Sequence, residues 1–261
     1  MTRGSRRRIF ADERSPWLLL LFVALGPATI WAGELVHEVL GHCLFIYLLG
    51  GGVTEIFVSP LAPYIPSKLV WEASGIPVFQ QALIASAGIA TSLTFSFAVQ
   101  FVSSRRDLGC GLRIALFWLS FWTFINTVAY MIIGMVLPYG DIEILMALGV
   151  ISNSQLGLMG MALVLPGVYL ISRRLAVIMS EVFAPEKVES FTMMFWILLP
   201  LPLIAAELMR SPTHPPPLIG GSILVLLLPA TYFLVSHGIS LISWYDPREQ
   251  QMRLKALDQG L

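Results

Sequence analysis

Charged side chains are scarce in this sequence: 16 basic and 16 acidic residues make up 12% of 261. A water-exposed domain carries about 25%, so there are too few here to clothe a soluble surface. The net charge is zero, which removes the electrostatic case for nucleic acid as a partner. Cysteine is nearly absent. Cys43 and Cys110 lie far apart, in or beside apolar runs, so no disulfide framework is expected. Histidine occurs only four times. The chain has no internal repeat and no low-complexity tract, and no segment reads as a soluble accessory domain.

What the chain has is apolar length. Hydrophobic residues make up 56% of it, and about 20 helical residues cross a hydrocarbon core. Six runs meet that requirement: 17–49, 78–103, 114–137, 155–172, 191–209 and 217–244. They predict an all-α polytopic membrane protein of about six transmembrane helices, with the lipid bilayer as its first partner. Segment 51–76 differs. Gly50, Gly51 and Gly52 lead into Val53-Thr54-Glu55-Ile56-Phe57-Val58, and prolines follow at 60, 63, 66 and 77. This reads as a short β-segment and a loop at the membrane surface, directly after the first span. Residues 138–154 are too short and too polar to cross and read as a re-entrant loop. The organisation expected is a basic segment 1–16, a membrane core 17–145, further transmembrane helices 146–244 and a tail 245–261.

Lysine and arginine set the orientation. With the amino terminus inside, the inner segments hold 14 of them and the outer segments only Lys68 and Arg210. Both termini are therefore expected on the cytoplasmic side of a cell membrane, taken as prokaryotic. Arg6-Arg7-Arg8 before an apolar run also has the look of a secretory signal, but the small-residue site near Ala32-Gly33 is poor and cleavage is not expected.

The chemistry is concentrated in Glu34-Leu35-Val36-His37-Glu38-Val39-Leu40-Gly41-His42. Two of the four histidines and two carboxylates stand within nine residues of an otherwise apolar helix. Ionisable groups inside a bilayer are costly and are read as functional. Zinc proteases use His-Glu-x-x-His, with both imidazoles on one helix face and the glutamate beside the reacting water. Here the spacing is one residue longer, His37-Glu38-x-x-x-His42. Five residues of a regular α-helix turn through about 500°, leaving the imidazoles about 140° apart. A π-type turn around Glu38–Gly41 absorbs the extra residue, and Gly41 eases the distortion. Zinc (Zn2+) is the expected cofactor, His37 and His42 its ligands and Glu38 the general base. Glu34 stands one turn earlier and is a candidate for a supporting role or a third ligand.

Over about residues 30–145 the chain resembles the site-2 protease family of intramembrane zinc metalloproteases. Four features carry the resemblance in order: His37-Glu38…Gly41-His42, the Gly-rich segment 50–58, Ala85-Ser86-Ala87-Gly88-Ile89-Ala90-Thr91, and Asn126 followed by Leu137-Pro138-Tyr139-Gly140-Asp141. Ile89 stands where the family has proline, and Asp141 lies between glycine and isoleucine. The family's site faces the cytoplasm, whereas the charge count here puts these residues toward the outside. The resemblance implies a zinc-dependent endopeptidase acting on transmembrane protein substrates. It makes Asp141 the third zinc ligand and gives Asn126 a catalytic role in holding the substrate backbone or the oxyanion. Glu143 is the alternative to Asp141. The 50–58 edge is available to pair with an unwound substrate strand.

Depth gives a further expectation. At 1.5 Å per residue, His42, Gly88, Asn126 and His37 lie about 10 to 18 Å below the outer ends of their spans. Asp141 joins that layer only if the 138–140 turn dips inward. His214, His237, Glu207 and Arg210 read as loop, interhelical or span-end residues. Two other classes compete with the protease. A non-catalytic relative or transporter accounts for the altered spacing by loss of the metal. A di-metal oxidase accounts for Glu34-x-x-His37 but needs that motif twice. The sequence is silent on substrate and on oligomeric state.

Overall fold

The computed structural model describes residues 3–60, 67–72, 74–103, 108–136, 138–180, 183 and 185–199. These are mostly helical. Helix α1 (Arg3–Leu35) runs without a break into a π-helical segment, Val36–Cys43, and then into α2 (Leu44–Leu48). The rod ends at Gly50, whose φ of 80° lets the chain reverse while Gly51 N–H donates to the Ile46 carbonyl at 2.8 Å. A hairpin follows, β1 (Val53–Phe57) antiparallel to β2 (Lys68–Trp71), with a register shift between Val53 and Glu55. The rest is helical: α3 (Val78–Ser103), α4 (Cys110–Val136), α5 (Gly140–Ala147), α6 (Asn153–Met179) and α7 (Pro185–Leu198). Ser152 and Gln155 start α6 with a reciprocal capping box.

Four helical stretches are long and apolar enough to cross a membrane: Pro16–Leu48, Val78–Ser103, Cys110–Met135 and Asn153–Met179. They coincide with the first four expected spans, the fourth running beyond the expected 155–172 at both ends. Of the expected fifth span, the described residues show only α7, 14 residues long and beginning earlier. The sixth, 217–244, lies outside the described residues, as do His214, His237, Glu207 and Arg210. The count of six is therefore four among the described residues. Residues 138–152 hold α5 and the turns that flank it, 153–154 begin α6, and the β-segment is a two-stranded hairpin.

Helix α4 packs against α1, α3 and α6. Aromatic side chains dominate the α1–α4 contact and its extension to α7: Phe22, Phe117, Trp118, Phe121, Trp122, Phe195 and Trp196 are all buried there. Two indoles fix the register. Trp118 Nε1 donates to the Phe22 carbonyl at 2.7 Å, and Trp122 Nε1 donates to the Gly26 carbonyl at 2.8 Å. Between α3 and α4, Ser96 and Ser120 exchange hydrogen bonds through their hydroxyls and carbonyls. Such small polar side chains hold helices together where no hydrophobic driving force acts between them. A second, smaller cluster seats α5. Ile142 and Leu145 are buried against Ala82, Ala85, Ile89, Met131 and Leu156.

Candidate metal centre

The longer histidine spacing is resolved as its geometry requires. Val36–Cys43 is π-helical, so residues five apart share a face. The His37 and His42 rings lie edge to face with centroids 4.9 Å apart. Both side chains are buried. Their room comes from Gly88 on α3: a Cβ built there would collide with His42 Nε2 and crowd the His37 ring. Gly41 in turn lies against the Gly88 backbone, closer than any larger residue allows. The α3 glycine in the Ala87-Gly88-Ile89 run thus forms the floor of the site.

Asp141 comes from the other direction. After α4 the chain is extended at Tyr139, and Gly140 then takes a φ of 54°, which turns α5 back onto α3. That turn carries Asp141 to the histidines. Asp141 Oδ2 lies 3.2 Å from His37 Nε2 and 3.1 Å from His42 Nε2, and the two Nε2 atoms are 3.3 Å apart. The three ligand atoms form a nearly equilateral triangle. Ligands placed tetrahedrally at the usual zinc distances lie about 3.3 Å apart, so two nitrogens and one oxygen fit three corners of such a site and leave the fourth open.

The outer contacts of the histidines argue the same way. His42 Nδ1 is 2.8 Å from the Ile84 carbonyl, an acceptor only, so Nδ1 carries a hydrogen. In the neutral ring, Nε2 then presents a lone pair toward the Asp141 carboxylate and His37. Lone pairs and a carboxylate facing one another call for a positive charge between them, either a proton or a metal ion. His37 Nδ1 is held 3.2 Å from the Ser92 hydroxyl. A second hydrogen bond of this kind orients a ligating imidazole and fixes its tautomer. Among the described residues, His37, His42 and Asp141 are the group able to hold a metal ion, and their chemistry is not specific to zinc.

Glu38 is buried beside His37, and no hydrogen bond to its carboxylate exists among the described residues. The two alternative third ligands lie elsewhere. Glu143 is exposed on α5. Glu34 is committed on both oxygens, to the Ser67 hydroxyl at 2.6 Å and to the Asn126 amide at 3.1 Å. Asn126, expected to hold the substrate backbone or the oxyanion, donates to Glu34 and makes no hydrogen bond to the donor set. One helical turn after Asn126, Tyr130 packs on His37, rings 5.7 Å apart and 30° from parallel.

Sequence reasoning missed Ser92, the Ile84 carbonyl, Ser67 and Tyr130. Only Tyr130 left a trace, as the aromatic residue four places after Asn126 on one helix face. Comparison with protein families, with characterised proteins and with solved structures gives no match.

Proposed function

We propose that this chain is a zinc-dependent intramembrane endopeptidase, similar in its chemistry to the site-2 proteases, which hydrolyses peptide bonds of membrane-associated substrates. The observation that carries the reading is the triangle of His37 Nε2, His42 Nε2 and Asp141 Oδ2 with the unpaired Glu38 carboxylate beside it. Three protein ligands with an open corner suit a catalytic zinc rather than a structural one. Zinc held there supplies Lewis acidity, which activates water at neutral pH. Glu38 takes a proton from the attacking water as its oxygen joins the peptide carbonyl carbon. The same carboxyl passes that proton to the leaving amine as the carbon–nitrogen bond breaks. Ser92 and the Ile84 carbonyl keep the two imidazoles aimed inward. Asn126 positions Glu34, which ties the base of the hairpin to the helix of the metal site. On this reading the apolar runs 191–209 and 217–244 complete six spans in a prokaryotic cell membrane, both termini are cytoplasmic and the site lies in the outer half.

The test is Glu38→Gln in the full chain, measured for zinc content and for cleavage of a transmembrane peptide in detergent. The amide does not accept the water's proton, so zinc stays at one per chain while cleavage falls by about 10²- to 10⁴-fold. Cleavage at the wild-type rate by Glu38→Gln contradicts the mechanism. Zinc without any wild-type cleavage favours a metal-holding scaffold instead.

A further inference from the structure

Tyr130 is the polar group of this site that the scheme above leaves unused. Its ring stands between two others, stacked on His37 at 5.7 Å and on Tyr139 at 4.8 Å. Its outer edge lies against Gly140: a Cβ at that residue would be 3.2 Å from Tyr130 Cε1 and 3.3 Å from the hydroxyl oxygen. Gly140 immediately precedes Asp141. The phenol is thus wedged between the ring of one candidate ligand and the backbone leading into another. The side chain is half-buried, and among the described residues nothing hydrogen-bonds its hydroxyl.

The hydroxyl is a donor not used by the protein groups described around it. The ring is held on both faces, so the hydroxyl's direction is fixed, yet its hydrogen is left unassigned. Glu34 is taken by Ser67 and Asn126, and Asp141 Oδ2 faces the two histidines; among the described residues no hydrogen bond joins the hydroxyl to Glu38, which the reaction needs as its base. A rigid donor with no partner at the rim of a catalytic centre is suited to an acceptor that arrives with the substrate. Peptide hydrolysis offers one, the carbonyl oxygen, whose negative charge grows as water adds. Side-chain donors preorganised toward such an oxygen are worth about 10²- to 10³-fold in rate.

We propose that Tyr130 is a catalytic residue of this site, its hydroxyl donating a hydrogen bond to the peptide carbonyl oxygen as that oxygen becomes anionic. No proton is transferred in this contact, and Glu38 alone carries the proton from water to amine. The assignment rests on the protease reading. It gives Tyr130 the role that the family resemblance gave to Asn126, which donates one amide N–H to Glu34.

The experiment is Tyr130→Phe in the full chain, which keeps the ring between His37 and Tyr139 and removes only the oxygen. Three quantities are read: zinc per chain, affinity for a peptide phosphonamidate whose tetrahedral phosphoryl oxygens mimic the anionic intermediate, and kcat and KM on a transmembrane peptide. The expected result is unchanged zinc, an affinity for the phosphonamidate weaker by about 100-fold, and a kcat lower by a similar factor with KM little altered. Full affinity and full kcat in Tyr130→Phe overturn the role of Tyr130 and leave the protease reading standing. Loss of zinc in Tyr130→Phe also overturns it, because the hydroxyl is then part of the metal site's structure. A wild-type chain that holds no zinc overturns both.

Discussion

Two regions of the molecule are built on opposite principles. Where α1, α4, α6 and α7 meet, rings fill the space: Phe22, Phe117, Trp118, Phe121, Trp122, Phe195 and Trp196 are buried together, many of them edge to face or tilted. Where the π segment, α3 and α5 meet, the side chains are small. Gly41 touches Gly88, Ala82 and Ala85 receive α5, and the volume so freed is taken by two imidazoles and a carboxylate. The aromatic half gains its stability from many dispersion contacts, each individually replaceable. The small-residue half fixes positions through backbone proximity. The lesson is that this site is specified by what is absent from it. Glycine at 41, 88 and 140 lets the backbones approach and turn so that the donors meet.

That contrast is breakable in two places, and the larger effect is expected on the small-residue side. Gly88→Ala puts a methyl group into the two imidazoles, with α3 pinned by its contact with Gly41. Zinc measured in the purified variant falls from one per chain to near zero, while the helical signal and solubility in detergent are kept. Zinc at wild-type occupancy in Gly88→Ala would show that the rings are not held where the backbone puts them. The smaller effect is on the aromatic side. Phe121 is fully buried, and Phe121→Ala opens a cavity that costs about 3 kcal/mol. Thermal unfolding in detergent shifts downward, and the folded fraction still carries one zinc. Loss of zinc with only a slight thermal shift would mean that the two regions are coupled.

The sequence made the aromatic half visible only as hydrophobicity, because apolar runs of similar composition do not say which faces meet. It located the four helices long and apolar enough to cross a membrane, since length and hydropathy alone decide those. It also anticipated the π turn, because His37 and His42 cannot share a face at five-residue spacing in a regular helix. Asp141 was reachable through the Pro138–Gly140 turn and its place in the order of motifs. Asn126 was legible as a polar residue of the site layer, but its partner Glu34 was not, because pairing between α1 and α4 depends on helix rotation set by Trp118 and Trp122. Ser92 and the Ile84 carbonyl had no signal at all. A serine in a membrane helix is unremarkable by itself, and a backbone carbonyl becomes a ligand's partner only when α3 lies at the right height.

Zinc stoichiometry in Asp141→Ala beside Glu143→Ala tests the central claim most directly, since these two acids lie two residues apart on α5 and only Asp141 meets the histidines. The donor triangle requires Asp141→Ala to lose most of its zinc while the chain still inserts and folds, and Glu143→Ala to keep one zinc per chain. Full zinc in Asp141→Ala, or its loss in Glu143→Ala alone, would contradict the site described here.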